Sequence, residues 1–244
     1  MIDELSVIIP ALNEEHYLPR LLQSIAEQNY QGNLEIIVVD GGSKDKTVNL
    51  ANGFKKQLKQ LTVITTNKGI SRQRNVGADR AKYKYLMFLD SDTYLPQKFL
   101  FQITQKINPD KIFIANPLIL PMDGNIIDSA FVFMAYVFLL GILLHIKPSS
   151  AGMCLITTKE NHHKINGFNE KAVCGEDIDY GLRSIKAGAK YRFYFNPHMY
   201  ASVRRRKQIG RFKLAIIWMH WYIDNVTHGA ITNSSKYEYS FGNH

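Results

Sequence analysis

Hydrophobic and polar positions along this 244-residue chain alternate between two rhythms. Short unbroken apolar runs recur at Leu5 to Ile9 (LSVII), Leu34 to Val39 (LEIIVV), Leu61 to Thr65 and Tyr85 to Leu89. Such runs read as strands covered on both faces. Between them the apolar positions take helical spacing. Leu18, Leu21, Leu22 and Ile25 form one stripe, with Asn13 as the expected cap and Pro19 confined to the first turn. A second helix is expected after Ser43, which would cap it, with Asp45 in its first turn and Leu50, Ala51, Phe54 and Leu58 facing inward. A third covers Arg72 to Ala81, with Gly77, Ala78 and Ala81 as a small-residue face. Strands alternating with helices imply an α/β fold: a mostly parallel sheet whose right-handed crossovers put helices on both faces.

In sheets of this kind ligands lie beyond the carboxyl ends of the strands. Three strands end in polar punctuation there: Pro10, Ala11, Asn13 and Glu14 after the first, Asp40 to Ser43 after the second, and Asp90-Ser91-Asp92 after the fourth. Each loop alone is ordinary turn chemistry. Together they predict one binding rim. Two aspartates at i and i+2 on a tight turn would repel one another unless a hard cation, which prefers oxygen ligands and shares them with phosphates, lies between them.

Composition adds little except for the charge. Hydrophobic residues make up 45% and charged ones 21%, as in an ordinary folded domain. Two cysteines, Cys154 and Cys174, supply neither a disulfide framework nor a zinc spacing, so a reducing compartment is expected. The opening MIDELSVIIP carries acids where a secretory leader needs basic residues, so a cytoplasmic location is expected. The net charge of +9 is local: from Gly181 to Ile223 there are ten Lys or Arg residues and no acid. That block is either a solvated basic face or a site for phosphates or anionic lipid.

Taken in order, Val7 to Leu22 (VIIPALNEEHYLPRLL), Val38 to Thr47 (VVDGGSKDKT), Gly69 to Gly77 (GISRQRNVG), Leu86 to Thr93 (LMFLDSDT) and Gly167 to Gly188 (GFNEKAVCGEDIDYGLRSIKAG) resemble the successive motifs of family 2 glycosyltransferases of GT-A fold. The resemblance spreads over about three quarters of the chain. It implies a GT-A type, Rossmann-like domain over residues 1–203, interrupted by an apolar helical insertion at 126–147 and followed by a basic, aromatic, amphipathic segment at 204–244. It also implies transfer of a sugar from a UDP- or GDP-type donor to an acceptor hydroxyl or phosphate, with Mn2+ or Mg2+ as cofactor.

The residues carry over one by one. Pro10, Ala11, Asn13 and Glu14 would border the nucleotide, and Asp40 would contact its base. Arg74, with Asn75, would support the helix beside the nucleotide, and Arg72 would add a contact. Asp90 and Asp92, around Ser91, match the family's ribose and metal aspartates. In Gly175-Glu176-Asp177 the aspartate matches the catalytic base, which in an inverting displacement must reach the acceptor hydroxyl. Glu176 and Asp177 also read simply as first-turn acids of a helix continuing through Ile178, Leu182 and Ile185. Asp179 reads as a structural or acceptor-side acid. Arg204 and Arg205, in Arg204-Arg205-Arg206, resemble a pair that contacts the diphosphate, and His198 is either a further metal ligand or a structural histidine.

Three departures sharpen the expectation. Gly41 stands where relatives often carry a second acid, the signature of processive synthases is absent, and Ala130 to Ile146 forms a seventeen-residue run without formal charge. A single membrane crossing by that run would put Asp92 and Asp177 on opposite sides, so it is buried, re-entrant or interfacial. Leu214 to Ile223 (LAIIWMHWYI), beside Arg211 and Lys213, suits a membrane surface or, equally, core or dimer packing. A membrane surface would imply peripheral contact at the inner face of the cell membrane and a lipid-linked rather than a free saccharide acceptor. The competing readings are a retaining transferase or a nucleotidyltransferase on a similar sheet, and a non-catalytic module binding membranes or anionic ligands. Nucleic acid is not expected as a partner, since no RNA-binding signature is interleaved with the basic block.

Overall fold

Strand β1, Glu4–Ala11, runs through the middle of the sheet and is buried at seven of its eight positions. The computed structural model describes residues 2–108, 112–122, 152–202, 204 and 209–233. The expected apolar insertion and Arg205 lie outside these residues. β1 pairs in parallel with β2, Asn33–Asp40, and with β4, Tyr85–Leu89; β2 pairs in parallel with β3, Leu61–Thr65. β1 extends past Pro10, where the pattern predicted a stop. Its pairing with β4 ends at Ile8, so the missing N–H of Pro10 removes no bond from that side.

The second half of the sheet is mixed. β5 (Thr93–Tyr94), β6 (Phe113–Pro121), β7 (Cys154–Thr158) and β8 (Lys190–Ala201) complete eight strands in the order β3-β2-β1-β4-β7-β6-β8-β5. β7 runs antiparallel to both β4 and β6, and β8 runs parallel to β6 but antiparallel to β5. Four of the seven pairings are therefore parallel.

Successive side chains on β1 divide between two cores. Val7 and Ile9 pack with Leu18, Leu21, Leu22, Phe99 and Ile103 on one face of the sheet. Ile8 packs with Ile37, Val39, Ala78, Phe88 and Tyr180 on the other. The period of two along a strand produces this split. The first face is covered by α1 (Leu18–Ala26), α2 (Thr47–Gly53) and α4 (Phe99–Lys106), the second by α3 (Ile70–Arg80) and α6 (Glu176–Lys186). Between β7 and α6 lies α5, Lys159–Lys164. α3 approaches closely because Gly77 faces β1: a Cβ there would lie 2.3 Å from Ile8 Cγ2. Any side chain at position 77 would push the helix off the sheet.

Two expected caps are corrected. Asn13 does not cap α1, whose N-cap position is Tyr17, and Ser43 does not cap α2, which begins four residues later at Thr47. Both side chains are committed to tying two loops together. Ser43 Oγ accepts the Asn13 N–H at 2.9 Å and Asn13 Oδ1 accepts the Lys44 N–H at 2.9 Å. The later start also turns Leu50 outward, whereas Ala51 and Leu58 are buried as expected. The last helix, α7 (Arg211–His228), packs on α6, and Ile231 beyond it bridges to Cys174.

Candidate functional site

The loops after β1, β2 and β4 meet at one rim, as the strand-end pattern predicted. Pro10 and Ala11 close β1, and Ala11 O accepts from the Gly41 N–H and from Gln73 Nε2. Gln73 also donates to Val39 O at 2.7 Å, so one wholly buried amide joins the ends of β1 and β2 where the ladder stops. Sequence reasoning missed this residue. Its signal was available: Gln73 lies one turn before Gly77, on the stripe of α3 that faces the sheet. Asp40 is buried and turned on its own loop, with its carboxylate accepting the N–H groups of Gly42 and Ser43. Glu14 is buried too, and its N–H donates to Thr47 Oγ1 at 2.7 Å.

The two aspartates of the β4 turn are each held by a different arginine. Arg74, on α3 with 1% of its side chain exposed, donates from Nη2 to Asp90 Oδ1 at 2.8 Å and from Nη1 to Glu176 Oε1 at 2.9 Å. Nη2 also donates to Gly152 O, and the guanidinium lies 5.1 Å from the Phe168 ring centroid. Burial alone would favour the neutral guanidine, but the carboxylates of Asp90, Glu176 and Asp177 outweigh it and push the Arg74 pKa up. Arg204 forks onto Glu14, at 2.6 and 3.0 Å, and places Nε 3.2 Å from Asp92 Oδ2. Ser91, between the aspartates, is buried, and the turn is fixed by Asp90 N–H donating to Met153 O and Thr93 Oγ1 donating to Asp90 O.

α6 brings the third acid. Gly175 takes a left-handed conformation at φ 64° as its N-cap residue, so Glu176 and Asp177 occupy the first turn. A Cβ at Gly152 would lie 3.1 Å from Asp177 Oδ2, which places that carboxylate against the segment leading into β7. The Asp177 pKa is pushed up to about 7, first by burial and then by Glu176, against the opposing pull of Arg74 and of the backbone N–H groups of the helix start. A carboxyl that titrates near neutrality is poised to exchange a proton at physiological pH. Asp179 instead pairs with Arg183 one turn on, at 2.7 Å, and serves the helix.

Other expected residues fall elsewhere. Arg72 lies on the open side of α3, paired with Glu170 at 2.9 Å, beside a hollow of about 220 Å³ lined by Lys68, Gly69, Ser71, Arg72, Glu170 and Ala172. That hollow does not include the aspartates. Asn75 accepts the Phe168 N–H and donates to Phe168 O, which secures the same 168–170 loop. His198 is a correction. It lies four residues before Ser202, the residue whose N–H reaches Asp92 O, so about 13 Å of strand separates it from the aspartate turn. Its Nε2 meets Tyr200 Oη at 3.2 Å, and among the described residues no group of three His, Cys, Asp or Glu side chains is gathered for a metal. Asp90 and Asp92 nevertheless suit a hard divalent ion that takes its remaining ligands from phosphates. The arginine already balancing Asp92 and Glu14 marks this point as one that calls for positive charge.

Comparison with known proteins agrees with this geometry. The model of glycosyl transferase family 2 matches residues 6–127, half of the chain, and stops short of Glu176 and Asp177. The glycosyltransferase GlyA of Streptococcus pneumoniae is 35% identical over 106 residues, which are 43% of this chain and 15% of GlyA. The chain spans 15% to 38% of the length of the curated relatives it matches. Among solved structures, TarS 1-349 of S. aureus in complex with UDP superposes with a TM-score of 0.67 at 20% identity, over 82% of this chain and 60% of that 1-349 fragment. The mannosyltransferase PcManGT of Pyrobaculum calidifontis, in complex with GDP-Man and Mn2+, gives 0.68 at 19% identity, over 83% and 58%. These likenesses establish the GT-A fold. With its strand ends, aspartate turn and arginine-bearing α3 all inside the matched residues, the chain belongs to glycosyl transferase family 2.

Proposed function

We propose that this protein transfers a sugar from a nucleoside-diphosphate sugar to an acceptor hydroxyl with inversion, Asp177 acting as the base. The observation that carries the reading is the Arg74 bridge, which joins Glu176, 102 residues away, to Asp90 and so sets the acidic start of α6 beside the β4 aspartate turn. Asp90 and Asp92 would hold Mg2+ or Mn2+, which when bound would neutralise the diphosphate and stabilise it as it departs. Pro10, Ala11 and Asn13 would frame the nucleotide, Asp40 would hold its loop in shape, and Arg204 would shift from Glu14 and Asp92 towards the phosphates. Asp177 would accept the acceptor's hydroxyl proton as the new glycosidic bond forms. The bound ligands of the superposed structures, UDP in one and GDP-Man with Mn2+ in the other, support a donor of the UDP or GDP type.

The test is a pH profile with a mutant. A base whose carboxyl titrates near neutrality must be ionised to work, so kcat/KM should climb as pH rises through about 7 and level off above it. Asp177→Asn should lower kcat by about a hundredfold to ten-thousandfold and erase that limb. An Asp177→Asn enzyme that keeps its rate, or a product with the donor's anomeric configuration, would overturn the assignment.

A further inference from the structure

The family match ends at residue 127, so α6, which carries Asp177, and α7, which packs on it, both lie beyond it. The start of α6 has no side-chain cap of its own. Gly175, in the N-cap position, offers the first turn nothing to bond to, and its left-handed φ of 64° is a conformation that glycine takes without a Cβ penalty. On one side the turn is gripped by Arg74 through Glu176. The other grip comes from the far end of the chain. Asn225 of α7, 3% exposed, brings Nδ2 to 2.5 Å from where a Cβ on Gly175 would lie, so only glycine leaves room for it. Just past the helix, Ile231 O accepts the Val173 N–H at 2.9 Å, and Ile231 bridges to Cys174. Val173, Cys174 and Gly175 are thus each held by α7 or by the short segment after it.

The chemistry of Asn225 argues against a role in the fold alone. Its Nδ2 donates to Trp221 O one turn back, a carbonyl that the helix ladder already serves. Its Oδ1 is buried with no hydrogen-bond partner among the described residues, which costs stability. For packing alone, an apolar side chain of that size would serve as well. We propose that Asn225, with Ile231 behind it, is a positioning residue for the proposed transfer: it fixes the first turn of α6 and so the place of Asp177 relative to Asp90. It acts without touching the substrate. Asp177 is then set from two directions, by α3 through the Arg74–Glu176 pair and by α7 through Gly175, and α7 belongs to the catalytic half of the molecule. That role rests on Asp177 being the base; the grip on α6 does not.

Amide hydrogen exchange reads the grip without any substrate. The Asp179 N–H donates to Gly175 O at 3.1 Å, the first backbone bond of α6, and the Gln73 N–H donates to Gly69 O at 2.9 Å, at the same place in α3. Asn225→Ala should speed exchange at Asp179 at least about tenfold and leave Gln73 unchanged. Turnover reads the consequence: kcat should fall about tenfold to a hundredfold, the scale on which a small misplacement of a reacting group is felt, while affinity for UDP or GDP with Mn2+ stays at the parent's value. In an Asp177→Asn background, Asn225→Ala should lower kcat no further, because the group it positions is already gone. Circular dichroism checks folding, and should Asn225→Ala not fold, Asn225→Ser is read in the same way. Unchanged exchange at Asp179, unchanged kcat, or a loss of diphosphate affinity as large as the loss of kcat would each overturn the proposal. If Asp177→Asn keeps its rate while exchange at Asp179 responds to Asn225→Ala, the base assignment fails and the grip on α6 remains. If Asp177→Asn loses its rate and Asn225→Ala does not, the base assignment remains and the positioning role fails.

Discussion

Two arginines perform the same task at the rim in different surroundings. Arg74 bridges Asp90 to Glu176 from the middle of a helix, wholly enclosed and flanked by Phe168. Arg204 bridges Asp92 to Glu14 from just beyond the last strand, with 15% of its side chain in contact with solvent. Each takes one aspartate of the same turn and ties it to an acid far away in sequence. Arg74 has no low-cost alternative, because moving it would leave the largely buried Glu176, and Asp90 beside the site, without the cation that pairs with both. Arg204 stands at the edge of the site, over the Tyr17 ring at 4.8 Å, where another cation would be able to replace it under the proposed reaction. One arginine builds the rim, and on the proposed reading the other would yield its place to a positively charged ligand.

That contrast can be broken experimentally, and the expected effects run from large to small. Arg74→Ala should destabilise the protein by about 3–5 kcal/mol, the usual cost of stripping the cation from a buried pair, read by urea unfolding. Arg204→Ala should cost about 1–3 kcal/mol, because Glu14 is left buried without the two hydrogen bonds Arg204 donates to it, and adding Glu14→Gln should restore part of the loss. If Arg204→Ala proves as damaging as Arg74→Ala, the two arginines are equivalent and the contrast fails. At the low end, Arg72→Ala removes an exposed pair with Glu170 and should change stability by less than about 1 kcal/mol, an effect that salt should screen.

The parallel half of the fold was legible because its strands are continuous apolar runs and its helices carry clean stripes, so local pattern and burial agree. β3 and β4 occupy the residues the pattern gave them, and the polar strand ends did converge. The other half was hidden for a physical reason. β6 contains Pro117 and Pro121, which argue against a strand in sequence, and the sheet tolerates Pro117 through a register shift between Pro117 and Leu118 against β8. No local pattern announces a shift that depends on a partner some eighty residues away. The site divides similarly. The individual acids were visible, but that Arg74 would serve both Asp90 and Glu176, and that Arg204 would reach Glu14 across 190 residues, follows only from packing. His198 misled because a histidine close to the end of β8 looks close to the aspartate turn until the strand's rise is counted.

Calorimetric titration of UDP and GDP, with and without Mn2+, into the parent protein, Asp92→Asn and Asp177→Asn is the most direct measurement. One diphosphate should bind the parent in the presence of Mn2+, lose that binding in Asp92→Asn and keep it in Asp177→Asn, whose deficit should appear only in turnover. Equal binding by all three proteins regardless of the ion would mean that the β4 aspartates do not hold a cation against the diphosphate, and the rim would need another purpose.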